Sequence, residues 1–215
     1  MDLNCIVLAG GRSTRLGRNK LLELIGGQTL FERVLLALSR FKTKIIVVTA
    51  RDILLPDISR FPELVMARDL YPGTGSLGAI YTGLMASDVH NNLVVASDMP
   101  FLNVELLQFM VSAAPGFDLV AYNKGDRPEL LHAIYSKNCE RPIKTLIEQS
   151  RLRIVGLLPL IKVRYLKPAE IERFDPQYLS FFNINTEQDL ARAREIASEN
   201  LYIKRDNSQG NRGLG

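Results

Sequence analysis

Three short runs of consecutive apolar residues constrain this chain more than any other feature. Asn4–Ala9, Lys44–Thr49 and Asn92–Ser97 carry apolar side chains at successive positions rather than alternate ones. Such a strand is buried on both faces, the environment of a parallel sheet covered by helices. Helical patterns lie between the runs. Thr29 and Glu32 form a capping box ahead of an apolar-periodic helix from Leu30 to about Arg40. Leu64–Ala67 reads as a shorter strand, Leu77–Ala86 as a helix, and Asn103 as the cap of a helix through Leu107 and Met110. This alternation predicts an α/β protein with three αβα layers around a mainly parallel, Rossmann-like sheet joined by right-handed crossovers. Ligands of such sheets bind beyond the carboxyl ends of the strands, at the point where strand order reverses.

The second half is more mixed. Phe117–Tyr122 and Leu130–Tyr135 read as strands joined by a polar turn, an antiparallel excursion. Asn138 is placed to cap a helix through Ile143, Leu146 and Ile147, and Ile161–Leu166 alternates as an edge strand does. Phe181–Ile184 is a further apolar strand, and Thr186 with Asp189 opens a final helix to about Ser198. Residues 1–202 are expected to form a single domain, and 203–215, almost without apolar content, a disordered tail.

The 215 residues carry a formal charge of +4, too mild for a nucleic-acid partner but suited to an anionic ligand. No apolar run reaches the about 18 residues of a membrane span, and no leader-like start is present. Cys5 and Cys139 form no Cys-x-x-Cys pair, so neither a zinc site nor a disulfide framework is expected, and a reducing cytoplasm fits.

The chemistry concentrates after the first strand. Gly10, Gly11, Ser13, Arg15, Gly17 and Lys20 lie within one short loop. Glycines let backbone N–H groups approach phosphate oxygens, and Arg15 and Lys20 supply compensating charge. The spacing is not that of a P-loop, whose lysine is followed by Ser or Thr. A second glycine cluster, Gly73-Thr74-Gly75-Ser76-Leu77-Gly78, matches a dinucleotide fingerprint in letters. It does not directly follow a strand in the first βα unit, which leaves an NAD(P)-dependent oxidoreductase as the less favoured alternative. It is read instead as a turn against a flat ring, with Asp69 placed to accept from the ring N–H and exocyclic amine that guanine presents together. Asp98 ends the run Asn92–Ser97, where a carboxylate can hold Mg²⁺ on a triphosphate. Asn183 offers an amide to a second substrate or to the metal, and Asn185 and Thr186 are read either as helix caps or as part of that subsite. His132 reads as a core histidine. Arg151, Arg153, Lys162, Arg164 and Lys167 form a basic cluster, open to an anionic substrate or to solvent alike.

Four segments taken in order, Leu8–Lys20, Asp69 with Gly73–Leu84, Ser97–Leu102 and Asn183–Leu190, resemble the nucleotidyltransferases of the molybdenum cofactor guanylyltransferase type. The resemblance runs from residue 3 to about 195 and implies the nucleotide-diphospho-sugar transferase fold. It also implies that Mg-GTP binds over Gly10, Gly11, Ser13, Arg15 and Lys20, with the base against Leu8, Ala9, Asp69, Gly75 and Gly78. Asp98 would hold Mg²⁺, and Asn183 and Asn185 would face the acceptor, molybdopterin or its metal-bearing form. Arg15, Lys20 and Asp98 would carry the reaction. Other cofactor-assembly proteins are implied as partners. Gly75–Ala79 departs from the family's usual Gly-Pro-Leu-Ala-Gly, and an Asn is missing near Ala50. Cytidylyl transfer, or transfer to another phosphate acceptor, is therefore the alternative, with a catalytically silent nucleotide-binding partner as a third reading.

Overall fold

The computed structural model describes residues 2–10, 18–50, 55–125 and 127–210. The first strand, β1 (Leu3–Leu8), is buried at every position. A small hairpin follows, β2 (Leu24–Ile25) and β3 (Gln28–Thr29), antiparallel and closed by Gly26 and Gly27. Both glycines have positive φ, 59° and 82°, as a two-residue turn of right-twisting strands requires. The hairpin was not foreseen, because strands of two residues carry no periodicity. Thr29 then caps α1 (Leu30–Leu38): its Oγ1 accepts from the Glu32 N–H, and the Glu32 carboxylate accepts from the Thr29 N–H. Such a cap stabilises a helix by about 1 kcal/mol.

Two further parallel strands, β4 (Ile45–Thr49) and β5 (Leu64–Arg68), precede α2 (Ser76–Ala86). Next come β6 (Asn91–Ala96) and α3 (Val104–Ser112), whose Leu106 N–H donates to the Asn103 cap. β7 (Leu119–Lys124) and β8 (Arg127–Ser136) form the expected hairpin. Asn138 does not cap the next helix. Ser136 accepts from the Asn138 N–H and opens a short 3-10 turn, and Asn138 Nδ2 turns to Asp118 instead. After α4 (Glu140–Glu148) come β9 (Val163–Leu166), a sheet edge as expected, α5 (Pro168–Glu172) and α6 (Glu187–Gly210). The final helix thus continues past the end near Ser198 read from the sequence. Phe181–Ile184 is not a strand. Tyr178 takes a left-handed φ of 55°, the chain tightens into a 3-10 turn at Leu179–Phe181, and Ile184 is drawn into the core instead of a ladder.

The seven-stranded sheet has the order β5-β4-β1-β6-β8-β7-β9, and β8 alone runs against the others. Alternate residues divide between two cores. Cys5, Val7, Ile45, Val47, Leu93 and Val95 face α1 and α3. Ile6, Leu8, Ile46, Val48 and Val94 face α2 and α4. The three-layer αβα arrangement is the one expected. α2 rides close on β1, since a Cβ at Gly83 would lie 2.4 Å from Ile6 Cγ2. A third, smaller core joins Ile25 and Leu30 to Ile184, Leu190, Ala193 and Ala197. It fastens the last helix to the segment that follows the first glycine loop.

Strand order reverses between β1 and β6. From β1 the chain moves outward to β4 and β5, then returns to place β6 on the other side. The crevice expected of such a sheet therefore opens where β1 and β6 end.

Candidate active site

Gly10 follows β1 and Asp98 follows β6, so both stand at that crevice. Gly11, Ser13 and Arg15 lie outside the described residues. Lys20, just past the loop, begins a 3-10 turn for which the Asn19 side chain accepts from the Leu21 N–H. Its ammonium donates to Asp98 Oδ2 at 2.7 Å and to the Ile184 carbonyl at 3.0 Å. The Ile184 N–H in turn donates to the Asp98 carbonyl at 3.0 Å. Segments separated by 78 and 164 positions from Lys20 thus meet at one point. The pair is largely shielded, with side chains only 12% and 17% exposed. Among the described residues Asp98 Oδ1, which is buried, has no hydrogen-bond partner. A buried carboxylate oxygen in that condition is costly unless an ion or ligand occupies its free side.

The turn carrying Asp98 is held from below. Arg33 of α1 donates to the carbonyls of Pro100 (3.1 Å) and Ile25 (3.2 Å), and its guanidinium lies over the Phe101 ring. Arg18 bridges Glu23 and Glu187, and Arg194 donates to Glu23 and to the Leu24 carbonyl. These cations anchor the end of the glycine loop to α6. These anchoring contacts were not foreseen, since Arg33 and Arg194 are each one arginine in a helix and Arg18 is one of several cations in the glycine loop.

Asp69 stands at the end of β5, its N–H donating to the Thr49 carbonyl. Three strand spacings, about 14 Å, separate the β5 and β6 ends. Its Oδ1 accepts from the Tyr71 N–H (3.0 Å) and from Thr82 Oγ1 (3.2 Å), which fixes the carboxylate while these bonds leave Oδ2 unused. Gly75 precedes α2 with φ 68° and ψ −146°, a conformation open only to glycine. Gly78 is different. It is buried, and a Cβ there would meet Thr74 Oγ1 at 2.0 Å and the Tyr71 carbonyl at 3.0 Å. Its missing side chain lets the 71–75 turn close on α2 rather than opening space for a ligand. Leu8 and Ala9 are buried at the end of β1.

Asn183 and Asn185 flank Ile184, and so border the Lys20–Asp98 pair. Asn183 Nδ2 donates to the Phe181 carbonyl, and Asn185 is exposed. Thr186, not Asn185, is the helix cap, exchanging bonds with Asp189. Of the basic cluster, Arg164 is taken by Glu170, while Arg151, Arg153, Lys162 and Lys167 are exposed. His132 is a core residue, as read, fully buried with its ring 4.7 Å from that of Phe181. Among the described residues no helix is long and apolar enough to cross a membrane.

The model of the MobA-like NTP transferase domain matches residues 5–158. The chain belongs to this family. A probable molybdenum cofactor guanylyltransferase of Pelotomaculum thermopropionicum is 31% identical over 192 residues, covering 89% of this chain and 92% of that protein. The crystal structure of molybdopterin-guanine dinucleotide biosynthesis protein A from Archaeoglobus fulgidus superposes with a TM-score of 0.76 at 31% identity, over 91% of this chain and 99% of that one. A cytidylyltransferase from Thermus thermophilus, 2-C-methyl-D-erythritol 4-phosphate cytidylyltransferase, shares the fold at 17% identity, with a TM-score of 0.68 over 92% of this chain and all of that one. The MobA-like chain is therefore a nucleotidyltransferase with the nucleotide-diphospho-sugar transferase fold. Enzymes of this MobA-like family generally use a divalent metal, and the orphaned Asp98 Oδ1 suits one.

Proposed function

We propose that the protein transfers GMP from GTP to the terminal phosphate of molybdopterin, releasing pyrophosphate and forming the guanine dinucleotide cofactor. The observation that carries this reading is the meeting of Lys20, Asp98 and Ile184 where β1 and β6 end. Relatives named for this activity match nearly the whole chain.

The triphosphate lies along Gly10, Gly11, Ser13 and Arg15, with Lys20 at its charge. Asp69 accepts from guanine through Oδ2, beside Gly75, Leu8 and Ala9, while Gly78 acts by letting the turn close. Asn183 and Asn185 face the acceptor. An oxygen of the acceptor phosphate forms a bond to the α-phosphorus, and the bond from that phosphorus to the pyrophosphate oxygen breaks. Asp98 would hold Mg²⁺, which would supply positive charge to offset that of the departing pyrophosphate. Lys20, on a flexible stem, can turn its ammonium from Asp98 to the phosphates. Such a reaction asks the protein for alignment and charge rather than a covalent nucleophile. The cytoplasm, with other cofactor-assembly proteins as partners, is the setting this implies.

The test is product formation from GTP and molybdopterin with Mg²⁺, read as pyrophosphate release and as the dinucleotide. Asp98→Asn should lower kcat about 100- to 1,000-fold. Turnover with CTP and none with GTP would overturn the guanylyl assignment.

A further inference from the structure

Glu129 has no role in the reading above, and its place in the sheet gives it one. β6 and β8 are antiparallel, with Val95 opposite His132. Asp98 lies three residues beyond Val95, and Glu129 three residues before His132. The two acidic residues therefore stand at the same end of neighbouring strands. The ladder between β7 and β8 is interrupted there: Ala121 pairs with Ala133, but the next residue, Tyr122, pairs with Glu129. Leu130, Leu131 and His132 are thus extra on the β8 side, and such a bulge re-aims the side chains beside it.

Glu129 is partly buried, and its Oε1 accepts from the Leu131 N–H at 3.0 Å. It is near enough to Asp98 for the two negative charges to oppose one another. Among the described residues the only ion pair to Asp98 is that of Lys20, through Oδ2, and Asp98 Oδ1 has no hydrogen-bond partner. Among the described residues, the two carboxylates and the single ammonium of Lys20, which pairs with Asp98, leave a negative excess that a divalent cation would offset.

We propose that Glu129 is the second acidic partner of the divalent cation held at Asp98. The inference rests on the nucleotidyl-transfer reading, which calls for that cation. It assigns cation affinity to the protein itself, before any nucleotide arrives, and leaves Lys20 free for phosphate.

The experiment is a titration of the full-length protein with Mn²⁺ and no nucleotide, following free Mn²⁺ by electron paramagnetic resonance. Circular dichroism checks the fold of each variant. Wild type should bind one Mn²⁺ saturably, and Asp98→Asn should abolish binding. Glu129→Gln should raise the dissociation constant about tenfold, which is about 1.4 kcal/mol. Glu129→Asp, which keeps the charge, should recover part of the loss. Wild-type affinity in Glu129→Gln, with binding lost in Asp98→Asn, would overturn the role of Glu129 and leave the nucleotidyl-transfer reading standing. Equal affinity in wild type, Asp98→Asn and Glu129→Gln, or no saturable binding by wild type, would overturn it together with cation binding at Asp98. GMP transfer would then still be decided by the product assay.

Discussion

His132 offers a measurement that isolates one buried group. Its ring is fully buried, neither nitrogen has a hydrogen-bond partner, and burial pushes its pKa from 6.5 down to about 4. In the unfolded chain the imidazole takes up a proton near pH 6.5. The folded protein resists that proton until about pH 4, so the neutral form's contribution is complete above pH 6.5 and is lost as pH falls toward 4. The gap between the two values corresponds to about 3 kcal/mol in full, of which about 2 kcal/mol is lost between pH 7.5 and pH 5. For a domain of this size that is a fall in Tm of roughly 4–8 °C. His132→Phe keeps an aromatic ring against Phe181 and removes both unpaired nitrogens, so it should unfold with most of that pH dependence gone. Because the chain has no tryptophan, far-UV circular dichroism in a urea series is the suitable probe. The carboxylates held below their usual range, Glu23, Glu32, Asp88 and Asp189 among them, titrate mainly below pH 5 and barely enter this window. Equal losses of stability in wild type and variant between pH 7.5 and 5 would refute the argument.

Three further outcomes are expected. Asp69→Ala should reduce the preference for GTP over CTP about tenfold or more in competitive binding, because it removes the oxygen assigned to guanine; an unchanged preference takes Asp69 out of the base site. Gly83→Ala should lower Tm, since a Cβ 2.4 Å from Ile6 Cγ2 costs about 1–3 kcal/mol in overpacking, more than the helix gains from alanine; a raised Tm would mean that α2 is not held that close to β1. Cys5 and Cys139 are buried, and burial pushes both thiols up to about 12, so a disulfide-exchanging reagent should find no fast-reacting thiol in the native protein and two in urea. A thiol that reacts within seconds in the native state would contradict that burial.

What could be read before folding, and what could not, divides along physical lines. Strands buried on both faces announce themselves by composition alone, so β1, β4 and β6 and the layers around them were legible. Local caps were legible too, because Thr29 with Glu32 and Thr186 with Asp189 are pairs whose spacing matches their bonding, and Asn103 accepts from a backbone N–H three residues on. The start of α4 differs from the expectation because a short 3-10 turn precedes it and takes the side-chain cap. Ser136 accepts from the Asn138 N–H and caps the 3-10 turn Lys137–Cys139, which runs directly into α4, while Asn138 Nδ2 donates to Asp118. Phe181–Ile184 misled because an apolar run has no sign for which partner it packs on, and here it serves a small core with Ile25 and Leu190. Lys20 and Asp98 were each singled out, yet nothing in either neighbourhood predicts that they form an ion pair through a turn at Ile184. Glu129 was invisible for a similar reason. Its proximity to Asp98 arises from antiparallel register and a bulge, and register is a property of two strands together.

The clasp of Ile184 on Lys20 and Asp98 has a consequence for the order in which the molecule becomes complete. The last strand of the sheet ends at Leu166, but the carbonyl that receives the Lys20 ammonium and the N–H that holds Asp98 come 18 residues later. Their attachment depends on Leu190, Ala193 and Ala197 of α6 packing on Ile25 and Leu30. A nascent chain can therefore possess every strand of its sheet while its two key charged side chains still lack their shared clamp. Domains fold as units while synthesis proceeds from the N-terminus. A chain that has emerged only as far as Leu166 holds every strand of its sheet without a finished crevice, so the last helix acts as a seal of completion.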